Sequence, residues 1–244
     1  MKKADTINIF GADINKLSNE QFIDYISKSI SQNRKNTIGY ANANTLNKIY
    51  EDKSLKKIFS AFDLIHPDGI GVYLASGFLY GKNGLESRLT GSDFYPILIS
   101  ESIKNNWKLF FFGHSEEILN GIKKQYPLLN ISGTNAGYNF DNKKVIAKIN
   151  DADPDIIIIG LSCPYQEKWM YENKDKVSFK ILLAVGDGIK VFAGKKTRGP
   201  VIFRKLGLEW FARLISSPFS NFRKYVIGIP LFIKRVASAK LKSK

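Results

Sequence analysis

Short apolar runs that alternate with amphipathic stretches are the feature of this sequence that most restricts its fold. One of these runs, Ile156–Ile159, is apolar at every position and does not alternate with polar residues. A strand of this kind is typical of a parallel sheet that helices cover on both faces. The pattern therefore predicts an α/β fold with a Rossmann-like, doubly wound, mostly parallel sheet.

The apolar runs predict strands at Thr6–Phe10, Thr37–Ala41, Leu64–His66, Lys108–Phe112, Asn130–Thr134, Asp155–Leu161 and Lys180–Val185. The stretches between them predict helices at Asn19–Asn33, Leu46–Phe62, Gly69–Tyr80, Asp93–Asn105, Ser115–Gln125, Asn142–Asp151 and Pro164–Lys176. In such sheets, ligands bind beyond the carboxyl ends of the strands. The segments that directly follow the strands are therefore the first places to look for functional residues.

The positive charge of the chain is concentrated near its C-terminus. The formal net charge is +15, and residues 195–244 hold eight lysines and five arginines against one acid, Glu209, so this segment carries +12. We therefore predict an α/β body at residues 1–194 and a basic, helical C-terminal appendage at residues 195–244. An appendage of this kind needs an anionic partner, either phospholipid or nucleic acid.

The appendage has the periodicity of amphipathic helices. After a predicted helix at Val201–Ile215, apolar residues recur at helical spacing from Phe222 to Val236, and Pro230 is expected to kink this second helix. Cations flank the apolar residues, a pattern that favours a membrane surface. A helix packed on the body with a solvated basic face explains the same periodicity.

Cysteine content and the apolar runs indicate the compartment. Cys163 is the single cysteine, so no intramolecular disulfide can form, which favours a reducing environment. Residues 1–15 do not resemble a signal peptide, and the apolar run Tyr225–Ile233 is much shorter than the roughly 20 residues of a spanning helix. We expect a cytoplasmic protein that binds peripherally to the inner face of the cell membrane.

Two acidic motifs are candidates for chemistry. Asp68 follows a predicted strand and precedes Gly69, so it is either a general base or, as the sequence alone favours, the cap of the next helix. Asp151 and Asp153 form an Asp-x-Asp motif of the type that holds a metal in some glycosyltransferases. Because this motif precedes a strand, we interpret it as a turn and predict no metal site.

The histidines and Arg88 each allow two interpretations. His66 and His114 lack a partner pattern for metal binding, and we interpret both as structural. The segment from Gly113 to Ser115 is either a phosphate-binding helix start or a simple turn. Arg88 is one of few arginines in the body and is either a bidentate phosphate ligand or a solvent-facing loop residue.

Six motifs in order carry a resemblance to a known family. They are Asn42-Ala43-Asn44-Thr45, Pro67-Asp68-Gly69-Ile70-Gly71-Val72, Arg88-Leu89-Thr90-Gly91-Ser92-Asp93, Gly160-Leu161-Ser162-Cys163-Pro164-Tyr165-Gln166-Glu167-Lys168-Trp169, Gly194 with Arg198-Gly199-Pro200, and Gly207-Leu208-Glu209-Trp210-Phe211-Ala212-Arg213. Together they resemble the WecG/TagA/CpsF family of bacterial glycosyltransferases. The resemblance implies an inverting, metal-independent hexosyltransferase without a cofactor.

The resemblance also implies the substrates. A hexose of the N-acetylmannosamine type or a related sugar would pass from a UDP-sugar to a lipid-linked acceptor, an undecaprenyl-diphosphate saccharide, in cell-surface polysaccharide synthesis. The other expected partner is an anionic membrane surface rather than nucleic acid, and the protein can be an oligomer. The appendage would close over the donor site at the membrane.

The resemblance assigns roles to individual positions. Asp68 resembles the general base, and Arg88 resembles a catalytic arginine that meets the diphosphate. The other positions of the expected donor and substrate site are Asn42, Gly69, Gln166, Glu167, Gly186, Asp187, Arg198, Arg213 and Arg223.

The chain departs from the family pattern at two positions. Lys190 stands where the family has an acid, and Tyr40 stands where a threonine is common. Either Asp187 replaces the lost acid, or Lys190 contacts a negatively charged donor such as a uronic acid. Both departures lie near the expected donor pocket.

Two other classes of protein compete with this interpretation. A non-catalytic nucleic-acid-binding protein would use the basic appendage on a phosphate backbone, but the near-neutral body lacks a helix-turn-helix or a basic, aromatic sheet face. An NAD-dependent oxidoreductase is disfavoured, because Gly69 and Gly71 are followed by Leu74 where a dinucleotide fingerprint has its third glycine.

Overall fold

The structure is a computed structural model that describes residues 5–196 and 199–242, apart from the side chain of residue 220. Within these ranges the chain forms thirteen α-helices, eight strands and short 3-10 and π-helical turns. The strands are β1 (Thr6–Ile9), β2 (Ala12–Asn15), β3 (Asn36–Ala41), β4 (Leu64–Pro67), β5 (Leu109–Gly113), β6 (Ile131–Asn135), β7 (Ile156–Gly160) and β8 (Ile181–Ala184).

The helices of the body lie between these strands. They are α1 (Asn19–Ser31), α2 (Ala43–Glu51), α3 (Lys53–Ser60), α4 (Ile70–Tyr80), α5 (Gly91–Lys104), α6 (Glu116–Gln125), α7 (Asn142–Ala152), α8 (Tyr165–Asn173) and α9 (Ile189–Phe192). The C-terminal segment adds α10 (Val201–Lys205), α11 (Glu209–Ser216), α12 (Pro218–Phe222) and α13 (Gly228–Lys242).

Six of the described strands form one parallel sheet in the order β4-β3-β8-β7-β5-β6. Helices pack on both of its faces, and every residue of β5 and β7 is buried. This arrangement explains why Ile156–Ile159 is uniformly apolar, since each side chain of that strand enters a core. The predicted Rossmann-like α/β fold is confirmed.

The first predicted strand lies outside this sheet. β1 pairs with β2 in a separate antiparallel hairpin, and β2 was not predicted from the sequence. Its residues Ala12, Ile14 and Asn15 are buried, and the Asn15 side chain accepts a hydrogen bond from the N–H of Ile65, 2.7 Å away. The hairpin therefore packs beside β4 instead of extending the sheet.

Two predicted helices are each divided in the structure. The stretch Leu46–Phe62 breaks at Asp52, which is extended (φ −116°) and whose carboxylate caps α3 by accepting from Ser54 and Leu55 N–H. The stretch Val201–Ile215 breaks between α10 and α11 at Gly207, whose φ is +73°. In both cases a single residue ends one helix and places the next in a new direction.

The last helix packs on the body. Phe232 and Val236 of α13 are buried in the cluster that also holds Leu46 of α2 and Val72 of α4. The Phe232 ring also meets the ring of Phe10 edge-on, with centroids 5.9 Å apart. Directly before α13, residues Arg223–Ile227 form a π-helical turn, which accommodates the missing N–H of Pro230.

Helix α13 therefore packs on the body, as one of the two interpretations expected. Its basic side chains are solvated only in part, since Lys234 is exposed whereas Arg235 and Lys240 bond to α2 and α4. A search of the described residues finds no helix that is both long enough and apolar enough to cross a membrane.

Candidate active site

A cavity of about 410 Å³ lies at the carboxyl ends of β3 and β4, between the body and the C-terminal helices. The polar residues that line it are Asn42, Asn44, Asp68, Arg88, Thr90, Glu209, Arg213 and Lys224. Its apolar residues come mainly from α4 and α13 and include Ile70, Leu74, Ala75, Phe78, Ile229, Phe232, Ile233, Val236 and Ala237. The cavity thus has a charged end at the sheet and an apolar arm along α4 and α13.

Asp68 lies at the charged end, directly after β4. Its Oδ1 accepts a hydrogen bond from the N–H of Gly91 at 3.0 Å, and Nδ2 of Asn42 lies 3.4 Å from its Oδ2. Asn42 is itself held in place, because its Oδ1 accepts from the N–H of Thr45 as the cap of α2. The carboxylate is therefore fixed in orientation while still facing the cavity.

The interpretation of Asp68 as a helix cap is wrong. The cap position of α4 is Gly69, which has a φ of +94°, and no side chain caps this helix. The chain turns at Gly69 so that the Asp68 carboxylate points across to the start of α5 and not down its own helix. This leaves Asp68 available for chemistry.

The surroundings of Asp68 keep it ionised. Burial opposes its ionisation, but the hydrogen bond from Gly91 and the charges of Arg213 and Lys196 outweigh burial and lower its pKa below the ordinary 3.8. His66 is neutral at physiological pH, because burial lowers its pKa to about 4. A carboxylate that is ionised and oriented in a cavity can accept a proton from a bound hydroxyl group.

Two arginines that line the cavity share one acid, Glu209. Arg213 Nη2 lies 3.0 Å from Oε2 of Glu209, and Arg88 Nη1 lies 4.0 Å from Oε1 of the same carboxylate. Both arginine side chains are only 23% exposed, so the solvent-facing interpretation of Arg88 is wrong. Glu209 orients both guanidinium groups toward a space where an anion can bind.

Other predicted residues lie beneath the site and do not line the cavity. Gln166 and Glu167 are fully buried. The Gln166 side chain accepts from the N–H of Gly186 at 2.9 Å and donates to Oε1 of Glu167 at 2.8 Å. Burial raises the pKa of Glu167. These residues join the ends of β7 and β8, with Tyr40 packed close to Gly186.

Asp187 follows β8 and forms ion pairs with two lysines. Its Oδ1 lies 2.9 Å from Nζ of Lys190, and its Oδ2 lies 3.1 Å from Nζ of Lys196. Lys190, the departure from the family pattern, is thus paired within the chain. The same Lys196 lies within electrostatic reach of Asp68 and Arg213.

The structure does not bring every predicted residue to the cavity. Arg223 is exposed, and the next residue, Lys224, lines the cavity in its place. Arg198 lies outside the described residues, so its role stays a prediction. The sequence analysis missed Lys224 and Lys196. The sequence shows that both lysines belong to a basic segment, but their positions depend on how this segment packs on the body.

The remaining candidates have structural explanations. The His66 ring packs 4.6 Å from the Phe22 ring in the core. The His114 ring accepts the N–H of Ser115 at 2.8 Å, and thereby uses an amide that a phosphate would need at this turn. Asp153 ends α7 in a left-handed conformation at the amino edge of the sheet, as expected for a turn.

Within residues 5–196 and 199–242, no three His, Cys, Asp or Glu side chains are grouped so that they could hold a metal ion. That the reaction needs no metal stays a prediction.

A Rossmann-like sheet with an oriented carboxylate facing two guanidinium groups at its carboxyl edge defines the class of the protein, a glycosyltransferase. Comparison with known proteins supports the class. The model of the glycosyl transferase WecG/TagA/CpsF family matches residues 7–244, and the chain belongs to this family.

Curated relatives are similar over most of their length. The chain is 31% identical to a Bacillus subtilis (strain 168) protein over 216 residues, which cover 86% of this chain and 83% of the relative. It is 27% identical to a Staphylococcus aureus (strain MRSA252) protein over 244 residues, which cover 98% of this chain and 94% of the relative. Both relatives are named N-acetylglucosaminyldiphosphoundecaprenol N-acetyl-beta-D-mannosaminyltransferase.

Proposed function

We propose that this protein is an inverting, metal-independent transferase that moves an N-acetylmannosamine-type hexose from its UDP donor to an undecaprenyl-diphosphate-linked saccharide. The observation that carries the proposal is the cavity itself. It combines an ionised base, Asp68, and an arginine pair with an apolar arm that suits a lipid. The names of the relatives supply the nature of the sugar and of the acceptor.

The geometry supports a single displacement. Asp68 takes the proton of the acceptor hydroxyl, and the acceptor oxygen attacks the anomeric carbon of the donor sugar from the face opposite UDP. The bond between the anomeric carbon and the diphosphate oxygen breaks, and UDP leaves with the electron pair. Because attack and departure occur on opposite faces, the anomeric configuration is inverted.

The guanidinium groups stabilise the departing diphosphate. Charge grows on the leaving oxygens as the bond breaks, and Arg88 and Arg213 line the same cavity as Asp68, in partly desolvated positions where electrostatic stabilisation is strong. Arginine binds phosphate oxygens with two parallel hydrogen bonds. In this mechanism the arginines do the work that a divalent metal does in other transferases.

The apolar arm is the site for the lipid of the acceptor. Leu74 and Phe78 of α4 and Ile233 of α13 line the cavity and remain more than half exposed. The first isoprenoid units of the acceptor would cover these side chains, while the sugar reaches Asp68. Burial of apolar surface contributes about 25 cal/mol per Å², which favours lipid-linked over free saccharides.

The C-terminal helices are suited to a membrane surface. Large apolar residues are exposed there beside cations, namely Ile215, Phe219, Phe222, Ile227 and Ile233. Arg223 and Lys234 lie among them and are exposed as well. Apolar side chains that enter the interface, together with cations that meet anionic lipid, produce peripheral binding. The enzyme would thus meet its acceptor at the inner face of the cell membrane.

Replacement of the base tests the function. We expect the Asp68→Asn variant to lose at least about 100-fold in kcat, because general base catalysis is worth 10²- to 10⁴-fold, while UDP still binds. The measurement is transfer from UDP-N-acetylmannosamine to a short-chain polyprenyl-diphosphate N-acetylglucosamine, with chelator present. The matched control is Asp24→Asn, an exposed aspartate on α1. Near-normal turnover by Asp68→Asn, or no transfer by the wild type, contradicts the proposal.

A further inference from the structure

A largely buried lysine, Lys196, pairs with Asp187 within electrostatic reach of Asp68 and has no role in the proposal above. The Lys196 side chain is only 14% exposed, and its Nζ lies 3.1 Å from Oδ2 of Asp187. Asp187 is shared, since its other oxygen lies 2.9 Å from Nζ of Lys190. One carboxylate therefore serves two ammonium groups, and the cluster carries a net positive charge.

Tyr95 connects this cluster to the catalytic carboxylate. A Cβ placed on Gly91 or on Gly188 would lie 2.6 Å from atoms of the Tyr95 ring, so this ring fills the space between the start of α5 and the end of β8. Asp68 accepts a hydrogen bond from the N–H of Gly91. Burial raises the pKa of the Tyr95 hydroxyl, and the negative charges of Asp68 and Asp187 raise it further. Lys196 thus belongs to the same edge of the sheet as the cavity.

The charges at this edge are not balanced among the described residues. The cavity lining and the Asp187 cluster together hold five cations against three carboxylates, a charge of +2 for these eight groups: Arg88, Arg213, Lys224, Lys190 and Lys196 against Asp68, Glu209 and Asp187. The buried carboxyl group of Glu167 lies beneath them, and burial raises its pKa. A diphosphate group carries two negative charges and would neutralise this excess. Partly buried cations in excess mark a place where an anion binds.

We propose that Lys196 is a further diphosphate-binding residue of the donor site and that Asp187 is the residue that positions it. The inference rests on the proposed function, because it takes the donor to be a UDP-sugar. Burial lowers the pKa of Lys196, and the charge of Arg213 adds to this effect. A bound diphosphate adds negative charge beside the ammonium group, as Asp187 already does, and so favours its charged form.

Binding of UDP by calorimetry tests the role of Lys196. We expect Lys196→Met to raise the Kd of UDP by about 10- to 100-fold, the usual effect of losing a charge-assisted hydrogen bond. Lys195→Met is the matched control, because this neighbouring lysine is exposed, and its Kd should stay within about twofold of the wild type. Circular dichroism and thermal unfolding establish that both variants are folded.

Each outcome separates this inference from the proposed function. If the wild type does not bind UDP, the proposed function fails. If wild type and Lys196→Met bind UDP equally, only the role of Lys196 fails. A loss seen with a UDP-hexuronic acid but not with UDP would move the contact from the diphosphate to a sugar carboxylate and overturn the assignment.

If Asp187 positions Lys196, removing its carboxylate should weaken UDP binding. If Asp187 acts only through its negative charge, removing it should strengthen UDP binding. We expect Asp187→Asn to raise the Kd by about 3- to 10-fold, Asp187→Glu to restore most of the affinity, and Asp187→Asn to add little once Lys196→Met is present. Tighter binding by Asp187→Asn, or full additivity, contradicts the positioning role.

Discussion

The Asp68 carboxylate combines two properties that usually oppose each other, since it is largely buried and yet ionised. Burial alone would raise its pKa, but the hydrogen bond from the Gly91 N–H and the charges of Arg213 and Lys196 outweigh burial and lower the pKa. Asn42 limits its rotation from the other side. A base with a lowered pKa accepts a proton only late in the reaction, when the attacking hydroxyl is already bonding to the sugar.

This electrostatic setting predicts the pH dependence of transfer. The reaction needs ionised Asp68, and a lowered pKa means that this form is lost only when the pH falls below the ordinary range of a carboxyl group. His66, with a pKa of about 4, does not titrate near neutrality either. We expect kcat/KM to be flat from about pH 6 to pH 8.

The measurement is kcat/KM against pH at constant ionic strength, with the stability of the protein followed at each pH. An acidic limb with a midpoint near pH 6 would show that a group other than ionised Asp68 controls the reaction, or that burial determines its pKa.

Helix α13 forms one wall of the cavity, and a small set of contacts holds it there. Arg235 donates to the backbone and side-chain oxygens of Asn47 at 3.0 and 3.1 Å, pairs with Glu51 at 2.5 Å and stacks on the ring of Tyr50. Asn47 in turn donates to the backbone oxygen of Gly228 at 2.8 Å. These contacts fix α13 against α2.

Loss of Arg235 should loosen the helix without unfolding the sheet. We expect Arg235→Gln to speed amide hydrogen exchange in residues 228–242 by about 10-fold or more, since several hydrogen bonds are lost, and to raise the KM for the lipid acceptor. The Kd of UDP should change by less than about threefold.

Lys57→Gln removes an exposed cation of α3, outside the C-terminal helices, and serves as the control. Unchanged exchange in Arg235→Gln would show that the apolar contacts of Phe232 and Val236 suffice to hold α13.

The sequence predicted the helices and strands that local residues determine. It missed those that depend on contacts with distant parts of the chain. Ile156–Ile159 is a strand in any context that covers both of its faces, and α1 lies where the sequence predicts a helix from Asn19. The hairpin strand β2 forms because Asn15 binds the chain at Ile65, a contact that local periodicity does not contain. Asp52 separates α2 from α3 in a stretch whose sequence predicts one continuous helix.

The same distinction holds for the site. Asp68, Arg88 and Arg213 lie in motifs, and the structure brings them to one cavity. Lys196 and Lys224 lie in a segment where basic residues are common, so nothing local separates them from exposed neighbours such as Lys195 and Arg223. Which basic residues lie near the site depends on the path that the chain takes after β8.

At the C-terminal helices, exposed apolar and basic residues occur together. Phe219 is 98% exposed at the C-terminal helices, among arginines and lysines that supply most of the net charge. The cavity opens between these helices and the body. Contact of this region with lipid would place the apolar arm next to the membrane from which the acceptor comes.

Vesicle flotation measures this contact. We expect the protein to float with vesicles that contain anionic lipid, less so as salt rises, because exposed charges are screened. Phe219→Ser should reduce flotation by several-fold, since a large apolar side chain no longer enters the interface. Leu128→Ser, a replacement of a residue that is 79% exposed in the body, is the control. Equal binding to neutral and anionic vesicles would contradict the electrostatic contribution.

The contact between Phe10 and Phe232 has a consequence for how the enzyme is made. The hairpin leaves the ribosome early, whereas its partner on α13 is synthesised near the end of the described chain. Until then, Val72 and Ala75 of α4 lack the cover that Phe232 and Val236 provide, and a nascent body with its sheet complete exposes these apolar side chains. Helix α13, the part of the cavity lining that is completed last during biosynthesis, therefore also lines the arm that binds the lipid during turnover.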